Sequence, residues 1–221
     1  MSGSSRGGVT PSLRLLLGTG NRKKLEELEN LLKDLPFKLV STKEFPQLTE
    51  VLEDGLTFEE NAVKKATELA RQSGLLTLGE DSGLVVDALE GAPGVYSARF
   101  SGPGKDDLKN CEKVLRLMEK LPDTCRGAAF KSAVAIALPE RLVGVAEGEV
   151  RGDIARQMRG TNGFGYDPIF IYGPFGKTFG EVAMEQKHQV SHRAQAIHKA
   201  RRILLEYAKI SPLSGSSFSG G

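Results

Sequence analysis

The sequence predicts an α/β fold built around one mixed β-sheet. Short apolar runs that suit buried strands alternate with segments in which apolar residues recur every three or four positions, as on one face of a helix. Two longer runs rich in Ala, Val and Ile, at 128–138 and 142–150, flank the tripeptide Pro-Glu-Arg and predict an antiparallel hairpin. Strands that alternate with helices and include one hairpin favour a sheet with both parallel and antiparallel pairs.

The first part of the chain predicts a strand and two helices. Residues 13–17 predict a buried strand, and the helix after it, with Asn21 as its N-cap, is predicted by leucines at positions 25, 28, 32 and 35. Thr57 and Glu60 have the spacing of a capping box, which predicts the start of a second helix. One face of that helix is apolar and consists of Phe58, Ala62, Ala66 and Leu69.

The rest of the chain adds two short strands, a helix, the hairpin and a last helix. The strands are predicted at 75–79 and 84–86, and the helix at 107–121 is predicted by the spacing of Leu108, Cys111, Leu115 and Met118. After the hairpin, a last helix is expected to begin at Ser191 and to pack through Ile197, Ala200 and Leu204.

Both ends of the chain are expected to be flexible tails around a single folded domain. Residues 1–12 and 211–221 are rich in Gly and Ser, and such segments cannot bury enough apolar surface to offset the entropy lost on ordering. The folded domain is therefore predicted at 13–210.

Composition and charge exclude several classes of protein. A net charge of +2 gives no overall field toward nucleic acid or membrane, so we expect no stable nucleic-acid partner. No apolar stretch reaches the roughly 18 residues that span a bilayer, and residues 1–12 lack a secretory h-region, which predicts a soluble cytoplasmic protein. Cys111 and Cys125 form no CxxC motif, so we expect free thiols rather than a disulfide framework or a zinc site.

A glycine-containing turn at 18–24 offers a place for an anion. It lies between the first strand and the first helix, where backbone N–H groups and the helix dipole favour negative charge. Both the Walker A loop and the dinucleotide fingerprint would need Gly at the position of Lys23. On its own the turn leaves an ordinary connection open, with Lys23 and Lys24 on a solvated face beside Glu27.

Three further segments add groups suited to a nucleotide. Acidic residues at 53–54 precede the second helix, which carries Lys64 and Lys65. A glycine-rich loop at 162–168 holds an aromatic residue and an acid, and basic residues cluster at 187–193. Each segment has a purely structural interpretation, as capping acids, a tight loop or a helix start, but their combination favours a ligand site.

Five blocks in fixed order resemble the inosine triphosphate pyrophosphatase family. They are GTGNRKKLEEL, EDGLTFEENAVKKA, GEDSGLVVDALEGAPGVYSARFSG, GTNGFGYDPIF and KHQVSHRAQAI, and they cover about residues 15–201. The resemblance implies an elongated mixed sheet with two lobes around a central cleft, and a homodimer. It also implies that ITP, dITP and XTP are hydrolysed to the monophosphate and pyrophosphate with Mg²⁺, or Mn²⁺ as a substitute, which clears noncanonical purines from the nucleotide pool.

The resemblance also implies roles for individual residues. The metal ligands would be Glu53 and Asp81, with Asp81 as general base and Glu80 in support. The phosphates would be held by Thr19, Gly20, Asn21, Lys24 and Lys65. The remaining substrate-binding residues would be Ser82, Phe164, Gly165, Tyr166, Asp167, Lys187, His192 and Arg193. Many members have Asp-Asp where this chain has Glu80 and Asp81, which leaves direct contact of Glu80 with the metal open.

The chemistry needs these residue types. Cleavage between the α- and β-phosphates requires cations for the departing pyrophosphate, and a carboxylate can take the proton of the attacking water. Mg²⁺ is typically held by one or two carboxylates together with substrate phosphates. A donor from His192 or Arg193 would suit the oxygen at position 6 of hypoxanthine and xanthine, whereas adenine has an amino group there.

Other readings of the same residues are weaker. Ser82 lies in no GxSxG motif and the three histidines all come late in the chain, so we predict that water is the nucleophile. Ser82 and Gly83 are instead expected to form a turn that aims Glu80 and Asp81 into the cleft. His188 and His192 have the outer spacing of HExxH, but Gln189 replaces its glutamate. A noncatalytic nucleotide-binding protein, or a pyrophosphatase for another modified nucleotide, remain the alternatives.

Overall fold

The computed structural model describes residues 13–211 as a seven-stranded mixed sheet flanked by helices. The strands are β1 (Leu13–Gly18), β2 (Phe37–Ser41), β3 (Leu76–Val86), β4 (Gly127–Leu138), β5 (Arg141–Ile154), β6 (Phe170–Tyr172) and β7 (Lys177–Thr178). The helices are α1 (Arg22–Leu32), α2 (Phe58–Ser73), α3 (Asp107–Leu117), α4 (Met184–Val190) and α5 (His192–Ile210). Apart from Ser211, the two predicted tails lie outside the described residues.

The strand order is β2-β1-β3-β4-β5-β6-β7, and the pairing changes direction at β3. Strand β1 pairs in parallel with β2 and β3, whereas every pair from β3 to β7 is antiparallel. The predicted mixed sheet is therefore confirmed. The long hairpin of β4 and β5 extends this sheet, so that two groups of helices can pack on it at different places.

The two largest of the four apolar clusters within residues 13–211 lie in different parts of the fold, and we call these parts its two lobes. The first joins β1, α1, α5 and the adjoining parts of β3 and β4, and includes Leu17, Leu28, Ile136 and Ile197. The second surrounds the other end of β3 and β4 together with α3 and β6, and includes Leu84, Val114, Phe130 and Phe170. Strand β3 runs through both cores, so the residues in its middle lie between the lobes.

The predicted turn at Ser82 and Gly83, between strands at 75–79 and 84–86, is wrong, because Leu76–Val86 forms one continuous strand. Strand β3 pairs with β1 as far as Gly79 and with β4 from Thr77 to Val86, and these pairings outweigh the low strand propensity of Gly, Asp and Ser. Gly79 has a packing role instead. A methyl group there would lie 2.5 Å from the Ala62 carbonyl oxygen of α2, so glycine lets the helix approach the sheet.

Helix α2 begins with a cap close to the predicted one. Thr57 Oγ1 accepts a hydrogen bond from the Glu60 backbone N–H at 3.0 Å, as expected, but Glu60 Oε2 accepts from Leu56 N–H at 2.6 Å, one residue before the N-cap. The inner face of α2 packs small side chains against small side chains of β4, namely Ala62, Ala66 and Ala70 on Ala133, Ala135 and Ala137. The same helix approaches β3, which carries the predicted acids, at Gly79.

Several boundaries differ from the predictions. Helices α1 and α3 end at Leu32 and Leu117, earlier than predicted, and the chain turns ahead of Pro36 and Pro122, each of which disfavours helix at the preceding residue. The predicted N-cap of α5 is confirmed, since Ser191 Oγ accepts from Ala194 N–H at 3.2 Å. Strands β2, β6 and β7 and helix α4 were not predicted. None of the helices within 13–211 combines the length and apolar character needed to cross a bilayer.

Candidate active site

A cavity of about 730 Å³ opens between the two lobes. Its wall brings together every predicted site residue except Glu80, the residue predicted to support the general base, although these residues come from distant parts of the chain. They are Thr19, Gly20, Asn21, Lys24, Glu53, Lys65, Asp81, Ser82, Phe164, Gly165, Tyr166, Asp167, Lys187, His192 and Arg193. The fold therefore places the chemistry predicted from five separate sequence blocks around one space.

In the turn before α1, side-chain oxygens accept hydrogen bonds from nearby backbone N–H groups. Asn21 Oδ1 accepts hydrogen bonds from the backbone N–H groups of Lys23 and Lys24 at 3.0 and 3.2 Å, which confirms its N-cap role. Thr19 Oγ1 accepts from Asn21 N–H at 3.2 Å. Because these N–H groups are already used, the side chain of Lys24 is the stronger anion-binding group that the turn presents.

Glu80 lies behind the cavity wall and forms ion pairs with two basic side chains. Its Oε2 lies 2.9 Å from Lys24 Nζ, and its Oε1 accepts from Arg193 Nε, Arg193 Nη2 and Ser132 Oγ at 3.2, 3.0 and 3.1 Å. Burial alone would raise the pKa of Glu80, but the charges of Arg193 and Lys24 hold this pKa well below its ordinary value. Glu80 is therefore an ionised carboxylate that orients the cations of the site.

Glu27 completes the buried charge network and was not recognised as a site residue from the sequence. It is 3% exposed rather than part of a solvated face. Glu27 accepts from Arg193 Nη1 and, at 3.3 Å, from Lys187 Nζ, while Lys187 also lies 2.6 Å from Asp167 Oδ2. Burial opposes ionisation of Glu27, yet Arg193 and Lys187 lower its pKa. The feature of the sequence that could have indicated burial of Glu27 is its position next to Leu28, on the buried side of α1.

Asp81, the predicted general base, is buried and accepts two hydrogen bonds. Its Oδ2 accepts from Asn61 Nδ2 at 3.1 Å and its Oδ1 from Ser82 N–H at 2.9 Å. Burial is the largest influence and raises the pKa of Asp81, while Lys24 and Lys65 act in the opposite direction. A carboxylate with a raised pKa takes a proton from water more readily than an ordinary aspartate does.

Glu53 and Asp81 form the only pair of carboxylates that the predictions assign to a metal. Lys65 Nζ links Glu53 to strand β3, which carries Asp81, because it lies 3.1 Å from Glu53 Oε1 and donates to the Glu80 carbonyl oxygen at 2.9 Å. Within residues 13–211 no cluster of three His, Cys, Asp or Glu side chains could enclose a metal ion. Two carboxylates with room for water and phosphate oxygens fit Mg²⁺, which seldom occupies an all-protein cage.

The other end of the cavity is built around Phe164. Its half-buried ring lies 4.8 Å from Lys187 Nζ and 5.5 Å from the guanidinium carbon of Arg193, both measured to the ring centroid. Asp167 Oδ2 accepts from Phe164 N–H at 2.8 Å, and the Tyr166 hydroxyl donates to the Ser97 carbonyl oxygen at 2.8 Å. Asp167 and Tyr166 therefore hold the loop in place, and the Phe164 ring is the apolar surface that the loop contributes to the cavity wall.

His192 is the better placed of the two residues predicted to read the base. Its ring stacks on Phe130 with centroids 4.8 Å apart, and its buried Nδ1 has no hydrogen-bond partner among the described residues. Burial, reinforced by Arg193 and Lys187, lowers the pKa of His192 well below its ordinary value, so the ring is neutral. By contrast, Arg193 already uses Nε, Nη1 and Nη2 in bonds to Glu80, Glu27 and Ser82.

Known proteins are similar to this chain in both sequence and fold. The chain is 50% identical over 192 residues to a dITP/XTP pyrophosphatase of Desulforamulus reducens, covering 87% of this chain and 96% of the relative. It is 48% identical over 184 residues to a dITP/XTP pyrophosphatase of Geobacter sulfurreducens, covering 83% and 92%. A solved structure of a HAM1 protein from Coxiella burnetii superposes with a TM-score of 0.81 at 38% identity, covering 88% of this chain and 99% of that one.

A second solved structure and a family profile agree. The Ham1 protein of Staphylococcus aureus superposes with a TM-score of 0.79 at 36% identity, covering 87% of this chain and 98% of that one. The sequence profile of the Ham1 family matches residues 15–203, nearly the same span as the five blocks. The resemblance read from the sequence is thereby confirmed, and the chain belongs to the Ham1 family.

Proposed function

We propose that this protein hydrolyses noncanonical purine nucleoside triphosphates, namely ITP, dITP and XTP, to the monophosphate and pyrophosphate. The observation that carries the proposal is the single cleft in which Asp81 and Glu53 lie among Lys24 and Lys65 at one end, with Phe164 and His192 also on its wall. The relatives named dITP/XTP pyrophosphatase, at 50% and 48% identity, support it.

The proposed reaction uses water as the nucleophile. Its oxygen forms a bond to the α-phosphorus while the bond from that phosphorus to the bridging oxygen breaks, and pyrophosphate leaves with the bridging oxygen. Asp81 takes a proton from the water. Glu53 and Asp81 would hold Mg²⁺, which when bound lowers the pKa of water and offsets phosphate charge. Lys24 and Lys65 bind the phosphates, and Glu80 and Glu27 keep the cations of the site in position.

Selection of the base is assigned to His192 and Phe164. In the tautomer with hydrogen on Nδ1, His192 donates to the oxygen at position 6 of hypoxanthine or xanthine, while Phe164 provides the stacking surface. The amino group of adenine is also a donor, so ATP would leave this contact unmade. One unsatisfied buried group costs about 1–3 kcal/mol, or roughly 5- to 150-fold, so strong rejection of ATP requires further contacts.

A pyrophosphate-release assay tests the function. ITP, XTP, dITP, GTP and ATP are compared with and without Mg²⁺, and we expect pyrophosphate from the first three only when Mg²⁺ is present. Release of single phosphates, or equal rates on all five nucleotides, would contradict the proposal. Binding without turnover would favour the alternative of a noncatalytic nucleotide-binding protein, and turnover of a different nucleotide would favour a related pyrophosphatase.

A homodimer in the cytoplasm completes the proposal. The family resemblance supports the dimer, and the exposed apolar side chains of Leu56 and Tyr96 offer surface that a second copy could cover. The free thiols of Cys111 and Cys125 suit a reducing compartment. Sedimentation velocity measures the oligomeric state, and a monomer at micromolar concentration would contradict that part. Cell fractionation tests the location.

A further inference from the structure

Arg99 lies on the cavity wall at the end that holds the candidate metal ligands. It closes the 3₁₀ segment Gly94–Arg99, which is fixed to β3 because Ser97 Oγ accepts from Leu84 N–H at 2.9 Å. Arg99 Nη2 donates to the backbone oxygen of Glu53 at 3.3 Å, and the guanidinium carbon lies 5.1 Å from the centroid of the Tyr96 ring. The guanidinium is therefore held beside the chain segment of Glu53.

Unlike Lys24 and Lys65, Arg99 is not paired with a carboxylate of the described residues. Lys24 is paired with Glu80 and Lys65 with Glu53, so each of these cations already faces a carboxylate. Arg99 makes no ion pair with any residue of the described chain, and its one hydrogen bond to protein goes to a neutral carbonyl oxygen. Its side chain is exposed on the cleft side, so its other N–H donors can reach a ligand.

We propose that Arg99 binds the β- and γ-phosphates of the substrate and thus the departing pyrophosphate; this inference rests on the proposed function. A guanidinium presents parallel N–H donors that match two phosphate oxygens, whereas a lysine acts as a point charge. The negative charge on the leaving pyrophosphate grows as the bond to the α-phosphorus breaks, and a fixed cation there stabilises the transition state. Lys43 and Lys105 also line the cavity, but within residues 13–211 neither forms a hydrogen bond or an ion pair with Glu53.

Product inhibition separates this role from a structural one. Wild type, Arg99→Ala and Arg99→Lys are assayed with ITP. The control is Arg141→Ala, because Arg141 is an exposed arginine at the start of β5 and lies outside the cavity wall. Pyrophosphate and inosine monophosphate are each added as inhibitors. Arg99→Ala should raise the inhibition constant of pyrophosphate about 10- to 150-fold, the loss expected for a charged hydrogen bond, and leave that of the monophosphate unchanged. Arg99→Lys should lie between, and Arg141→Ala should match wild type.

Two results would overturn the assignment. One is an equal change for both products, because Arg99 would then shape the whole site; the other is no change for either. Calorimetric binding of pyrophosphate to wild type and Arg99→Ala keeps the two proposals separate. If wild type released no pyrophosphate from any nucleotide, the proposed function would fail. Weaker pyrophosphate binding by Arg99→Ala would still support Arg99 as an anion-binding residue. Equal binding by the two proteins, or no binding by wild type, would contradict that assignment.

Discussion

Arg193 donates to the Oε1 atom of Glu80 through two nitrogens, Nε at 3.2 Å and Nη2 at 3.0 Å. Arg193 lies in the first turn of α5, and Glu80 lies in the middle of β3, so the pair joins the last helix to the strand between the lobes. Both side chains are at most 2% exposed. Buried charges of this kind are stable only while each has its partner. The pair thus links the stability of the fold to the geometry of the cleft.

Glu80→Gln should destabilise the protein strongly. It removes the charge that faces Arg193 and Lys24 while keeping the size of the side chain, and loss of one member of a buried pair costs about 3–5 kcal/mol. For a domain of this size that lowers the thermal midpoint by roughly 6–20 °C in calorimetry. The control is Glu26→Gln, because Glu26 pairs with Arg22 on the surface with both side chains more than half exposed. Equal midpoints for the two variants would contradict the prediction.

Acid should weaken the wild-type protein through the same network. The pKa values of Glu80 and Glu27 are both lower in the folded protein than their ordinary value of 4.5. Each group therefore adds stability that is fully present above about pH 4.5 and is lost as the pH falls through its lowered folded pKa. We expect the free energy of unfolding to fall with decreasing pH in this range, and to fall less steeply in Glu80→Gln. Parallel curves for the two proteins, measured by urea unfolding, would argue against this linkage.

Asp81→Asn should bind nucleotide and lose turnover. The amide keeps the shape of the side chain but cannot take a proton, which predicts a loss of at least about 100-fold in kcat. Nucleotide binding, measured by calorimetry, should persist because Lys24 and Lys65 remain. Asp54→Asn is the control, since Asp54 pairs with Lys64 on the surface and lies outside the cavity wall. Near-normal hydrolysis of ITP by Asp81→Asn would remove Asp81 from the role of base.

In Asn61→Ala, the acid limb of the pH profile of kcat/KM should shift to higher pH. The pKa of Asp81 is already raised, mainly by burial, so activity should fall as the pH drops through a value above the ordinary 3.8. Asn61 Nδ2 donates to Asp81 Oδ2 and so favours the ionised form. Removing this donor should raise the pKa of Asp81 further and shift the acid limb of kcat/KM to higher pH. A limb at the wild-type position would mean that another group controls it.

The sequence predicts most of the site because the five blocks keep their spacing, yet it does not predict how the charges pair. Glu27 meets Lys187 and Arg193 across 160 and 166 positions of the chain, and local periodicity carries no information on contacts between such distant residues. A glutamate on a helix is ordinarily solvated, so the sequence alone favours an exposed Glu27, which is wrong. For the same reason the engagement of Arg193 with two carboxylates could not be foreseen from the residues around it.

The fold shows the same division between local and distant information. Helices α2 and α5 are predicted well because their caps, Thr57 and Ser191, and their apolar faces are local features. Strand β3 is broken in the prediction because Gly, Asp and Ser have low strand propensity, whereas partners on both sides stabilise it in the structure. The reason for Gly79 is likewise visible only once α2 is in place.

Gly79→Ala should therefore damage both stability and activity. The added methyl group would lie 2.5 Å from the Ala62 carbonyl oxygen and 2.6 Å from the Ala66 backbone nitrogen, so the backbone of α2 must move. Overpacking of this kind costs about 1–3 kcal/mol, which lowers the thermal midpoint by roughly 2–12 °C. Because α2 carries Asn61 and Lys65, its displacement also disturbs the bonds to Asp81 and to the Glu80 carbonyl oxygen, and kcat should fall in the same variant.

Gly173→Ala provides the matched control for this effect. No atom lies within 4 Å of a methyl group placed at Gly173, so the same chemical change there should leave both the thermal midpoint and kcat close to wild type. If Gly79→Ala also matched wild type in both measurements, α2 would have to adjust without moving its side chains. The close approach of helix and strand would then not set the position of Lys65.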